Sequence, residues 1–177
     1  QFHVDILPTN KQIIRVGGTA IYHEFQPEIS QQQVQQEGFG DDFMEDEQSV
    51  LRPIEANVFF EDQIELNDFI SLNAGLHNSF YVLDSARFFS LQPRISFRVG
   101  PVDRWGVTGS YTNMTQFQHL LSNSGTGLPT DLFVPATNRV PPQTARQFSL
   151  GVDRNFKSLG VQVSLEGYYK QMQNLIE

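Results

Sequence analysis

The feature that most constrains this chain is period-two alternation of apolar and polar residues, which recurs through most of its length, whereas amphipathic helical periodicity is scarce. Between Ile54 and Leu66 the even positions carry Ile54, Ala56, Val58, Phe60, Asp62, Ile64 and Leu66, and the odd ones Glu55, Asn57, Glu61 and Glu65. After a turn signal at Asn67-Asp68, Ile70, Leu72, Ala74, Leu76, Phe80 and Val82 alternate with Ser71, Asn73, His77 and Ser79, which predicts a hairpin. A third segment sets Leu91, Ile95, Phe97 and Val99 against Gln92, Arg94, Ser96 and Arg98. Beyond a turn at Gly100 to Asp103, Trp105, Val107 and Tyr111 oppose Thr108, Ser110 and Thr112. Phe148, Leu150 and Val152 then oppose Gln147, Ser149 and Asp153. A turn near Asn155 to Ser158 leads to Leu159, Val161, Val163, Leu165 and Tyr169, against Gln162, Ser164, Glu166, Tyr168 and Lys170. With a weaker opening strand around Gln12 to Phe25, the expectation is an all-β chain of about seven strands, most near the roughly 9–11 residues that a tilted membrane strand needs.

The connections narrow this further, because long and short ones alternate. Residues 26–52 form a long polar loop, Asn67-Asp68 a tight turn, 84–90 a medium loop and 101–104 a tight turn; 116–145 are long again and 154–158 short. In an antiparallel up-and-down meander, alternate connections share an end, so the long loops gather at one end and the short turns at the other. Transmembrane β-barrels have this asymmetry, with short periplasmic turns and longer external loops. A soluble β-sandwich also alternates apolar-in with polar-out and stays as the alternative. Against it stand a polar face of Ser, Thr, Asn, Gln and Arg rather than Lys, and aromatics near strand ends. Trp105 follows a short turn on the apolar face, where either an interfacial girdle residue or a core tryptophan would sit.

Composition excludes other classes. With 12 basic and 20 acidic residues the net charge is −8, which argues against a nucleic-acid partner. There is no cysteine, hence no disulfide framework, thiolate metal site or thiol nucleophile. No apolar run reaches the roughly 18 residues of a membrane helix, which leaves only a closed barrel as a way across a bilayer. No export signal opens the chain. Seven strands is an odd count for a bacterial barrel, an open edge in lipid strands backbone donors, and Asn174-Leu175-Ile176-Glu177 is not a terminal aromatic closure. The expectation is therefore an internal part of a longer protein.

Several segments carry a specific resemblance. Gln92-Pro93-Arg94-Ile95-Ser96-Phe97-Arg98, Gly109-Ser110-Tyr111-Thr112-Asn113-Met114-Thr115-Gln116, His119-Leu120-Leu121-Ser122-Asn123-Ser124, Gly127-Leu128-Pro129-Thr130-Asp131-Leu132 and Val134-Pro135 resemble the barrel of a TonB-dependent receptor of the carboxypeptidase-like-domain, nutrient-uptake type. Phe59 to Leu76 and Tyr168-Tyr169-Lys170 share the style, and Met114 to Asp131 is the most specific part. The resemblance implies a barrel of about 22 strands with a plugged lumen, set in outer-membrane lipid and driven by a periplasmic TonB-type energy coupler. It also implies a plug from the same receptor and import of a nutrient (glycan, peptide or metal chelate), with a structural barrel that scaffolds surface lipoproteins, or a soluble carbohydrate-binding sandwich, as the alternatives. No cofactor is implied.

Candidate sites follow. The loop from Gln116 to Arg146 offers Gln116, Gln118, His119, Asn123 and Asp131 for contact with a polar nutrient at the barrel mouth, with a self-packed loop as the alternative. Glu55, Glu61, Arg94, Arg98, Asp153, Glu166 and Lys170 are expected to face the lumen, where they pair either with a plug or with one another. Asp41, Asp42, Glu45, Asp46 and Glu47 offer oxygen ligands for calcium but lack the spacing of a known loop, and the neighbouring glutamines favour a solvated segment. His3, His23, His77 and His119 show neither metal-ligand spacing nor a Ser-His-Asp arrangement, so an enzyme is not expected.

Overall fold

A computed structural model describes residues 1–25, 50–101, 104–122 and 131–176. The described strands are β1 (Phe2–Thr9), β2 (Gln12–Tyr22), β3 (Ile54–Asn67), β4 (Ile70–Leu83), β5 (Ala86–Val99), β6 (Trp105–Gln116), β7 (Gln118–Ser122), β8 (Asp131–Pro135), β9 (Gln143–Phe156) and β10 (Val161–Gln173). Eight form one antiparallel sheet in the order β1-β2-β3-β4-β5-β6-β9-β10, and β7 and β8 make a separate hairpin inserted between β6 and β9. This is an all-β up-and-down wall, a partial barrel. No helix among the described residues is long and apolar enough to cross a membrane.

The register converts the alternation into two faces. Each transverse row keeps one parity: Ile64, Leu72 and Phe97 on one side, Gln63, Asn73 and Ser96 on the other. The apolar set, including Val58, Phe60, Ile95, Phe97, Leu150, Val152, Val163 and Leu165, stays exposed, with Leu150 at 61%. The sheet has no second layer over that face among the described residues, unlike a sandwich. An exposed apolar face this broad belongs against lipid. The opposite face carries Asp5, Arg15, Glu61, Asn73, Arg98 and Asp153 and is the lumen face.

The sheet differs from the expected seven or so strands in having one more, β1, and in where two connections fall. The opening segment is a hairpin: Phe2, Val4 and Ile6 alternate with His3 and Asp5 in a strand of only eight residues that pairs with β2. The medium loop expected at 84–90 is instead a two-residue turn, in which Asp84 adopts the left-handed φ of 49° that such hairpins favour, and β5 begins at Ala86. Alternation fades there because Ala86 and Phe88 face inward while Arg87 and Phe89 face outward. At the other end β9 runs to Phe156 and the turn covers Lys157 to Gly160, two residues later than expected, with Gly160 at φ 62°. The short connections at 10–11, 68–69 and 157–160 and the one from β5 to β6 share one end; the two-residue turn at 84–85 and the 23–53 and 117–142 connections share the other.

Candidate functional site

Two clusters lie on the lumen side, one on the wall and one at the mouth. On the wall, Arg15 of β2 binds Asp5 of β1 through two hydrogen bonds of 2.9 and 3.3 Å, while another of its nitrogens lies 3.8 Å from Glu61 Oε2. Asn73 donates to Glu61 Oε1 at 2.7 Å. Nearer the short-turn end, Arg98 forms a two-pronged ion pair with Asp153, across the intervening strand β6. Gly106 makes this possible: a side chain there would occupy the place of the Arg98 guanidinium. Charge-assisted, bidentate pairs of this kind fix geometry as well as charge.

Of the wall residues expected from sequence, Glu55, Glu61, Arg94, Arg98, Asp153, Glu166 and Lys170 all occupy the lumen face in the register. Glu55 receives a hydrogen bond from Asn57 at 2.9 Å and lies 3.6 Å from His23 Nε2. Arg94 lines a cavity of about 210 Å³ with Glu61, Asn73, His77, Ser96 and Thr112, and among the described residues it has no ion pair. His77 stacks on Phe59 with ring centroids 5.1 Å apart. The wall thus pairs some charges internally and leaves Arg94 open to the lumen. Sequence reasoning missed the Asp5-Arg15 partnership, although Val4-Asp5-Ile6 and Ile14-Arg15-Val16 carry its signal.

At the mouth the lumen face turns apolar. Tyr81, Leu83, Phe117 and Ala136 form the buried cluster, flanked by Leu51 and Phe88. Phe117 stacks on Tyr81 at 4.8 Å with the rings 9° from parallel. The β7–β8 hairpin is thereby seated at its base on the wall, through Phe117 and Ala136. Its base is tied by the Ala136 amide to the Phe117 carbonyl at 2.8 Å, and by Asn138 to Ser85 Oγ at 3.1 Å.

The predicted ligand-contact residues are distributed unevenly. Gln116 is exposed, and its side-chain amide donates to the Gln118 carbonyl at 2.9 Å. The Gln118 amide lies 3.0 Å from His23 Nδ1, joining the loop to the end of β2. His119 is 0% exposed. Its Nε2 lies 3.1 Å from the Pro141 carbonyl and its Nδ1 3.0 Å from the Gln143 amide. The neutral ring with the proton on Nε2 satisfies both contacts, and burial holds this histidine below its ordinary pKa of 6.5. Gln118 and His119 therefore anchor the loop. Asn123, the side chain of Asp131 and the acidic run from Asp41 to Glu47 lie outside the described residues. Among the described residues no three His, Cys, Asp or Glu side chains gather as a metal site would require.

Residues 16–177 match the profile of a family described as TonB dependent receptor-like, beta-barrel. Comparison with curated proteins and comparison with solved structures give no match. The matched family is one of outer-membrane transport and reception rather than an enzyme class, and its barrels normally reside in the bacterial outer membrane. With a lipid-facing apolar surface, a charged lumen face and matching coverage of nearly the whole sequence, the chain belongs to the TonB-dependent receptor-like β-barrel family.

Proposed function

We propose that this wall belongs to a receptor that imports a nutrient, whether glycan, peptide or metal chelate, across the outer membrane. In this reading the lumen houses a plug from the same receptor, a periplasmic TonB-type coupler supplies the energy, and a surface lipoprotein can dock on the external loops. Residues 26–52 and 116–145 are those external loops. The observation that carries the reading is the mouth, where Phe117 stacks on Tyr81 and so ties the base of the inserted hairpin to the lumen face. A ligand at that mouth would meet Gln116, Asn123 and Asp131, with Gln118 and His119 holding the loop that presents them. The wall charges Glu55, Glu61, Arg94, Arg98 and Glu166 face the plug, and Arg94 is the one best placed to receive a carboxylate from it.

The test uses the complete receptor in its own host, grown in turn on a glycan, a peptide mixture and a chelated metal as limiting nutrient. Deleting the gene is expected to abolish growth on one of the three. Restoring it with 118–135 replaced by a short Gly-Ser linker is expected to return a folded barrel to the membrane without restoring that growth. Normal growth of the deletion strain on all three would overturn the proposal.

A further inference from the structure

We infer a phospholipid site on the outward face at the short-turn end, a site that the transport reading neither requires nor predicts. Trp105, Val107, Val152, Arg154, Val163 and Leu165 line an outward groove of about 300 Å³ across β6, β9 and β10. Trp105 and Val163 flank Arg154 on either side in the register, and Val107 and Leu165 flank Val152 one step further into the sheet. The groove is therefore apolar along its length and cationic at the end nearest the turns. Arg154 rests its guanidinium carbon 4.8 Å over the Phe156 ring, and among the described residues it has no ion pair. The nearest acid along the strand, Asp153, faces the lumen and is held by Arg98.

An arginine on the lipid face of a barrel is costly within the hydrocarbon and tolerable near the interface, where it reaches polar groups. The occupant that satisfies both ends of this groove is a lipid with apolar chains and a phosphate, because guanidinium binds phosphate through paired charge-assisted hydrogen bonds. Short turns face the periplasm, and the leaflet there is phospholipid, which commits the site to that class rather than to lipopolysaccharide. An acyl chain lies along Val107, Val152, Val163 and Leu165, Trp105 covers the glycerol region, and Arg154 holds the phosphate.

The complete receptor, delipidated in detergent, is tested by native mass spectrometry with added dioleoylphosphatidylethanolamine or with dioleoylglycerol, which has the same chains and no phosphate. The phospholipid is expected to be retained about fivefold more than the diacylglycerol, in line with the contribution of one basic residue near a lipid surface. Arg154→Gln should remove that difference, and Arg154→Lys should keep most of it. Val163→Trp, which fills the groove, should lower retention of both lipids. A heat-modifiable gel band identifies the folded variants, and Arg154→Lys with Val163→Trp suffice if Arg154→Gln does not fold. Equal retention of the two lipids by the unmodified receptor, or undiminished phospholipid retention by folded Arg154→Gln or Val163→Trp, would overturn the site.

Discussion

The middle of the wall and its mouth are built on opposite plans. In the middle, across β3 to β10, apolar side chains point outward and remain exposed, while the lumen face is held by hydrogen bonds and ion pairs such as Arg98–Asp153 and Asn73–Glu61. At the mouth, the apolar side chains turn inward: Tyr81, Leu83, Phe117 and Ala136 make a small core of the kind found in water-soluble proteins. The difference follows the solvent. Where hydrocarbon surrounds the strands, an outward Leu costs nothing, and the backbone ladder supplies the order. Where the strands emerge into water, the hydrophobic effect resumes and draws the aromatic residues together over the lumen.

If the two regions are held by separate forces, each should fail alone. Phe117→Ala, which empties the centre of the mouth core, is expected to cost about 3–5 kcal/mol locally. Hydrogen exchange of the complete receptor should then show lost protection at 117–120 and 133–136, with β9 and β10 unchanged; lost protection in both regions would mean that the mouth and wall form one cooperative unit. Leu150→Arg attacks the other plan. It should cost about 2–4 kcal/mol, as expected for a basic side chain placed in the lipid-facing belt, seen as a lower denaturant midpoint in liposomes. Ser164→Arg, on the lumen face opposite Asp153 in the register, should leave that midpoint nearly unchanged. His119→Leu keeps the bulk but leaves the Gln143 amide and Pro141 carbonyl without their ring partner, at about 1–3 kcal/mol for a buried polar group left unpaired, again confined to the mouth.

The smallest effect is that of pH on the same loop. Because burial keeps His119 neutral below its ordinary pKa of 6.5, the opened loop takes up a proton more readily than the closed one. The contribution of His119 is therefore complete above pH 6.5 and declines as the pH falls below it. Protection at 117–120, corrected for the intrinsic pH dependence of amide exchange, should fall on acidification in the unmodified receptor and lose that component in His119→Leu.

The sequence carried the wall more fully than the mouth, for a physical reason. In the wall, each residue's face follows from its parity, so counting alone puts Glu61, Arg94 and Arg98 together on the polar face, as the register does. The same counting was available for Phe2 to Ile6, where a short alternating run was passed over. At the mouth both faces of β5 carry aromatics, with Phe88 inward and Phe89 outward, and parity loses its meaning. The roles of Gln118 and His119 depend on partners that no local pattern reveals. Gln118 meets His23, 95 residues away in sequence, and His119 meets the Pro141 carbonyl beyond an inserted hairpin.

The central claim is that odd residues of β9 face an aqueous lumen and even ones face lipid. The chain contains no cysteine, so single substitutions report cleanly. Cysteines placed one at a time from Gln147 to Asp153 in the complete receptor, spin-labelled and reconstituted in liposomes, give collision rates with dissolved oxygen and with a water-soluble nickel chelate. The account predicts oxygen-dominated relaxation at Phe148, Leu150 and Val152, and chelate-dominated or collision-protected behaviour at Gln147, Ser149, Gly151 and Asp153. Uniform access of the chelate to both sets, with no period of two, would contradict it.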